Sequence, residues 1–462
     1  MPPPNYFEAL DYHRLAADYP PGADFLGLAK TLSRDELFAR QDNAFRKTLA
    51  FAWKIPFYQK HWGNAGVEPG DIDGLKDIEK LPTYDKSDLM QAVEEHPPLG
   101  NFSGLDTYTD DARPPLIFQT TSGTTGRPQP LLFGPKSREL QNMLLARIYA
   151  LQGLTRDDVV HSVYGHGMVN GGHYVREAVT HFVGCQLLTA GTGVETRSIN
   201  QVQLMRDFGV TAIIGFGDYI RRLGQVAQEN GLVPGQDIKV RMISGHMGAD
   251  AEAVSEAWGG AEVFDWYGVG DTGAIAAEGP DHDGMYVLED AQYLELLDVD
   301  THAPVGSGIG DMVCTCLYKD DVYPIIRFNT HDVTEEIFGA SSIGLNLKRI
   351  RGFLGRSDNM VKLRGINIYP QAIGAIITAN GDALTGEYLC EVRSKDGRDE
   401  MVVRAESRTL GDGLSRTLEG LLRARLGVDI GVDLTAPDSL RELTGIETRQ
   451  KPIRLIDHRK SQ

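Results

Sequence analysis

The sequence predicts an α/β protein in two parts: a large N-terminal domain of layered sheets and helices over residues 1–355, and a small α+β C-terminal domain over 356–462. Three observations carry this. A chain of 462 residues is too long for one core. Between about 115 and 340, short apolar runs such as Val159-Val160-His161-Ser162-Val163, Ala212-Ile213-Ile214-Gly215 and Val240-Arg241-Met242-Ile243-Ser244 alternate with helical patterns, as in buried strands layered by helices. The polar turn Gly355-Arg356-Ser357-Asp358 then breaks the pattern.

Residues 1–90 read as mainly helical. Apolar residues recur at helical spacing over 37–62, and 63–82 is rich in turn formers. The start of the chain has neither a basic segment nor an apolar one of signal-peptide type, and no run reaches the ~18–20 apolar residues of a membrane span. A net charge of −18 argues against a nucleic-acid surface, which needs a basic patch. Four cysteines in so long a chain make no disulfide framework, so a reducing cytoplasm is expected.

The chemistry-bearing stretch is Thr120-Thr121-Ser122-Gly123-Thr124-Thr125-Gly126-Arg127-Pro128, which follows the apolar, strand-like run Pro115-Leu116-Ile117-Phe118. Successive N–H groups in such a loop line a concavity for an anion, and the hydroxyls add donors. The expected anion is the polyphosphate of a nucleotide. The loop lacks the helix-opening Lys of a Walker loop.

This loop resembles the phosphate loop of the adenylate-forming enzymes, the acyl-CoA synthetase superfamily, and its wording is similar to the phenylacetate–CoA ligase branch, with Arg127 in place of the usual Lys. Further segments follow in the family's order. Asp265-Trp266-Tyr267-Gly268-Val269-Gly270-Asp271-Thr272 resembles the segment that flanks adenine and ends in a metal-binding acid, here Asp271 in place of Glu. Gly245-His246 stands where the family has a second adenine segment. Asp332, closing Pro324-Ile325-Ile326-Arg327-Phe328-Asn329-Thr330-His331-Asp332, matches the acid that grips the ribose hydroxyls. The segment from Gly355 to Pro370 resembles the branch's hinge, with Arg356 near the nucleotide and Asp358 as the pivot of a mobile C-terminal domain. Lys451 falls on the lysine that bridges carboxylate and α-phosphate, at matching spacing to Arg454, Asp457 and Arg459.

The resemblance therefore implies ATP, Mg²⁺ on Asp271 and Thr125, and CoA. The nucleotide would be held by Thr121, Ser122, Gly123, Thr124, Thr125, Gly126, Gly245, His246, Asp265, Trp266, Tyr267, Gly268, Asp332 and Arg356, with Lys451 and Asp271 catalytic. It also implies an acid pocket lined by Tyr164, His166, Asn170, Gly171 and Gly217. His166, Asn170 and His173 make that pocket more polar than a bare phenyl ring requires, so a small aromatic acid with hydroxyl, amino or similar groups is expected. Alternatives stay open: transfer of the adenylate to a carrier-protein thiol or an amine, or a catalytically impaired nucleotide-binding regulatory homologue. Cys314 and Cys316 alternate on a strand with His282 upstream; buried structural cysteines, rather than zinc, are the reading adopted. No nucleic acid and no membrane partner is expected, and the chain is expected as a monomer or homodimer.

Overall fold

The computed structural model describes residues 2–121, 128–247, 251–364, 366–378, 383–395, 398–446 and 452–461. Helix Arg34–Ala52 opens on a capping box between Ser33 and Glu36, and buries Leu37, Gln41, Phe45, Thr48, Leu49 and Ala52 along one stripe. Proline starts helix Pro56–Asn64, where Pro costs no hydrogen bond. This N-terminal region is stitched to the sheet. Tyr58 donates to the Pro324 carbonyl, and Tyr84 exchanges backbone hydrogen bonds with Arg327 and Asn329. The bidentate pair of Arg327 with Glu295, at 2.9 and 3.1 Å, and Arg327 donation to the Leu81 carbonyl at 2.5 Å add to it.

The main sheet changes character along its length. Strands Gln186–Thr189, Val159–Ser162, Ala212–Phe216, Met242–His246 and Glu262–Val269 lie side by side in that order and are parallel. Their burial on both faces explains the near-continuous apolar runs. Beyond Glu262–Val269 the sheet turns antiparallel through Gly273–Glu278, Met285–Val287 and Arg349–Ile350 to the long strand Ile325–Ile337, which also pairs with Ile309–Cys316. Arg327 and His331 on that strand have φ of +57°, a conformation uncommon for residues with a side chain, and its register with Ile309–Cys316 slips between Asp311 and Val313 and again between Cys314 and Cys316.

The run before the Ser/Thr/Gly loop departs from the expected buried strand at 115–118. The strand is Ile117–Thr120, in a two-stranded antiparallel hairpin with Pro130–Phe133, and Phe118 is 40% exposed. Pro114 and Pro115 lack the N–H that a ladder needs, which delays the strand. The second strand of the hairpin, Pro130–Phe133, is the buried one.

A separate core starts at Val361. Strands Gly431–Thr435, Arg398–Ser407, Leu384–Lys395 and Leu455–Asp457 form a four-stranded sheet in that order, covered by helices Pro370–Thr378 and Asp412–Leu426. The two-residue strand Gly355–Arg356, by contrast, still pairs with Asp332 and Val333 of the large sheet. The two cores thus divide within a few residues of Ser357.

Candidate active site

The parallel strands end along one edge, the position where open α/β sheets bind ligands. Three groups of side chains gather there and on the antiparallel half beside it.

The first group joins the base of the Ser/Thr/Gly loop to Asp271. Thr121 N–H donates to the Gln129 carbonyl at 3.0 Å, and the Thr121 hydroxyl accepts the Gln129 N–H at 3.1 Å. The Gln129 amide in turn donates to Asp271 Oδ1 at 2.6 Å, and the Tyr323 hydroxyl to the same oxygen at 3.2 Å. Lys319, fully buried between the rings of Phe133 and Tyr323, donates to the Asp271 main-chain carbonyl at 2.6 Å. Burial, only partly offset by Lys319, Gln129 and Tyr323, pushes the Asp271 carboxyl above its ordinary range. Gln129 and Lys319 were missed by sequence reasoning, since neither lies in a segment with a recognisable pattern. Ser122, Gly123, Thr124, Thr125 and Gly126, expected to cradle phosphate, lie outside the described residues, as does Lys451.

The second group is a relay of charge around Asp332. The Tyr267 hydroxyl donates to Asp332 Oδ2 at 2.8 Å, and Arg356 Nη1 to Oδ1 at 3.0 Å. Arg356 grips Asp358 with its other two nitrogens, at 2.8 and 2.5 Å. Burial disfavours the Arg356 charge, yet Asp358 and Asp332 outweigh it and raise its pKa. The expected ribose acid and the expected pivot are therefore joined through one guanidinium. Strand pairing of Gly355–Arg356 with Asp332 and Val333 sets that geometry.

The third group is aromatic. Tyr164, Phe216, His246 and Trp266 form a chain of ring contacts, with centroids 4.9 Å apart for Tyr164 and Phe216, 5.3 Å for Phe216 and His246, and 4.2 Å for His246 and Trp266. His246 Nδ1 lies 3.0 Å from the Trp266 carbonyl. A carbonyl only accepts, so Nδ1 carries the proton. Asp265 sets the turn above by accepting from the N–H groups of Trp266 and Met247 at 2.8 and 3.1 Å. Gly245 and Gly268 are where backbones approach closely: a Cβ on Gly245 would lie 1.7 Å from the Gly215 carbonyl oxygen, and one on Gly268 2.4 Å from that of Gly273.

The expected site residues separate by face and by partner. Trp266 was grouped with the nucleotide through its neighbour Tyr267. Successive strand residues face opposite ways, so Tyr267 reaches Asp332 while the Trp266 ring joins a cluster of His246, expected at the nucleotide, with Phe216 and with Tyr164, expected at the acid. The Oδ1 of Asn170, expected to bring an amide to the acid pocket, accepts from the buried Arg138 at 2.5 Å. His173 Nε2 is held by the carbonyls of His166 and Gly167, each at 3.0 Å. Gly171 and Gly217 face side chains: an added Cβ would stand 3.2 Å from the Tyr164 ring and 3.3 Å from Met247 Sδ. His166 alone of the expected polar groups keeps a buried ring nitrogen, Nε2, without a hydrogen-bond partner among the described residues.

Cys314 and Cys316 are fully buried, next to Gln292 Oε1 and the Thr272 carbonyl, while His282 stacks on Phe264 beside Glu278. Asp457 and Arg459 pair with each other inside the small domain, at 2.7 and 2.8 Å. Arg454 crosses between the domains, 2.8 Å from Glu387 and 3.3 Å from Asp218, which directly follows Gly217. Among the described residues no helix is long and apolar enough to cross a membrane.

Comparison with known proteins places these groups in context. Residues 365–459 match the model of the AMP-binding enzyme C-terminal domain. A phenylacetate-coenzyme A ligase of Aromatoleum evansii is 28% identical over 447 residues, covering 92% of this chain and 96% of that protein. One from Thermus thermophilus is 28% identical over 82% of this chain and 83% of its own length. Among solved structures, a 2-hydroxyisobutyryl-CoA ligase in its postadenylation state superposes with a TM-score of 0.80 at 24% identity, covering 96% of this chain and 94% of the other. In sequence over nearly its whole length this chain is similar to phenylacetate-coenzyme A ligases, its C-terminal part matches the AMP-binding enzyme C-terminal domain, and its fold is that of the 2-hydroxyisobutyryl-CoA ligase structure.

Proposed function

We propose that the protein is an acid–thiol ligase that activates an aryl or arylalkanoic carboxylic acid with ATP and transfers the acyl group to CoA. In the first step a carboxylate oxygen attacks the α-phosphorus and pyrophosphate leaves, giving the acyl-adenylate. In the second the CoA sulfur attacks the acyl carbonyl and AMP leaves, giving the thioester. The observation that carries this reading is that strand Glu262–Val269 and the turn after it join the three groups, through Trp266 in the ring cluster, Tyr267 on Asp332 and Asp271 on Gln129.

Such chemistry is mostly positioning and charge neutralisation. In this reading Asp332 accepts from the ribose hydroxyls while Arg356 and Tyr267 hold its carboxylate in place, and Lys451 bridges the carboxylate and the α-phosphate. Asp271 suits Mg²⁺, which takes one or two carboxylates together with substrate phosphates. Its carboxylate is buried with incomplete compensation, and a cation would supply the remainder. Thr125 would be the second protein ligand. When bound, the ion would neutralise phosphate charge.

Product analysis tests this reading. With ATP and acid alone, mass spectrometry should find the acyl-adenylate, and with CoA added, the acyl-CoA. Adenylate that is consumed only by a carrier-protein thiol or an amine would replace the acceptor. Nucleotide binding without any adenylate would make the chain a regulatory homologue.

A further inference from the structure

Trp266 has a buried donor with nothing to donate to. The residue is 5% exposed, and its Nε1 has no hydrogen-bond partner among the described residues. Indole N–H is a donor only, and leaving a buried donor unsatisfied is costly, so buried tryptophans normally find a partner. A phenylalanine or leucine would fill the same space without that cost. The position of the ring gives the unsatisfied donor a meaning. Trp266 packs at a tilt against His246, which meets Phe216 and Tyr164, so the indole belongs to a ring cluster that includes Tyr164, expected in the acid pocket. His166, two residues beyond Tyr164, brings a second buried nitrogen without a partner among the described residues. Of the other polar candidates of this pocket, Asn170 Oδ1 and His173 Nε2 are already hydrogen-bonded within the protein.

We propose that Trp266 is a specificity-determining residue whose indole N–H donates to an oxygen on the acid, so that the preferred substrate carries a hydroxyl, keto or ether oxygen in addition to its carboxylate. This rests on the acid-activating reading above. The rings themselves leave little room for discrimination by stacking. Sandwiching a flat substituent between two of them requires about 7 Å, twice an optimal carbon–carbon contact, and their centroids lie 4.2–6.2 Å apart. Selection then falls to hydrogen bonding, and a site built to donate to an oxygen strongly disfavours the analogue that lacks it.

The test is acid-dependent ATP–pyrophosphate exchange with pairs of acids that differ by one oxygen: phenylacetate with 4-hydroxyphenylacetate and with mandelate, and isobutyrate with 2-hydroxyisobutyrate. The wild-type protein should favour the oxygen-bearing member of at least one pair by about tenfold or more in kcat/KM. Trp266→Phe keeps the ring and removes the N–H, and should bring that ratio close to one. Loss of packing alone would lower both members equally and leave the ratio intact, which overturns the proposal. Exchange that shows no preference in any wild-type pair also overturns it, whether or not the variant folds, while leaving the acid-activating reading standing. Absence of exchange with every acid overturns both.

Discussion

Asp332 holds two donors at once, the Tyr267 hydroxyl and the Arg356 guanidinium, and this fixes its two oxygens before any nucleotide arrives. Asp332→Asn keeps the size but removes the charge that Arg356 faces. Charge-assisted hydrogen bonds contribute about 1.5–3 kcal/mol, so exchange should fall by about 10–100-fold; a change under threefold would remove Asp332 from the site. His161 supplies a pH prediction. Burial lowers its pKa from 6.5 to about 4, because only Gln201 supports the ring. The folded state thus favours neutral His161, and this stabilisation is fully present above pH 6.5 and lost as pH falls toward about 4. A shift of that size corresponds to about 3 kcal/mol. Stability measured by denaturant across that window should decline, and His161→Gln should flatten the decline by close to one proton; an unchanged slope would contradict the assignment.

At the scale of elements, the edge of the parallel sheet works because strands Ala212–Phe216 and Met242–His246 approach closely at Gly215 and Gly245. Backbone atoms cannot yield to a Cβ only 1.7 Å away. Gly245→Ala should therefore destabilise the protein by about 3 kcal/mol or more, read as a lower denaturant midpoint; a shift within experimental error would show that the strands can part. The parallel strands themselves were legible, since burial on both faces writes continuous apolar runs into the sequence. The structure joins Asp332 and Arg356, both expected around the nucleotide, through one ion pair. The strand before the Ser/Thr/Gly loop was misplaced by two residues, because apolar character outweighed the two prolines in reading 115–118. Side-chain direction was the harder problem. Trp266 and Tyr267 adjoin in sequence and serve opposite faces, and the engagement of Asn170 by Arg138 depends on a contact 32 residues away that no local pattern reveals.

At the scale of the molecule, the link between the two cores is short and is framed by charge. Arg356 ties Asp332 to Asp358 on one side of it, and Arg454 ties the small domain to Asp218. Arg221 adds a bond to the Thr385 carbonyl at 3.2 Å. Burial disfavours the Arg454 charge, but Asp218, Tyr388 and Glu387 outweigh it and raise its pKa. Asp218→Asn should loosen the small domain by about 2 kcal/mol, seen as faster protease cleavage in the link near residues 357–360, while the cleavage rate of other sites stays constant. Equal cleavage rates would mean the contact carries no weight. Such an interlock was invisible in the sequence, because Arg454 read only as part of a C-terminal pattern and Asp218 as a replacement in a pocket segment.

The central claim is that the three side-chain groups on the sheet edge make one acid-activating site. Acid-dependent ATP–pyrophosphate exchange measures that step alone, before any acceptor is needed. The account predicts exchange that requires both a carboxylic acid and Mg²⁺ and that falls by about 10–100-fold in Asp332→Asn. Exchange that is absent with every acid tested, or that is indifferent to Asp332, would contradict it.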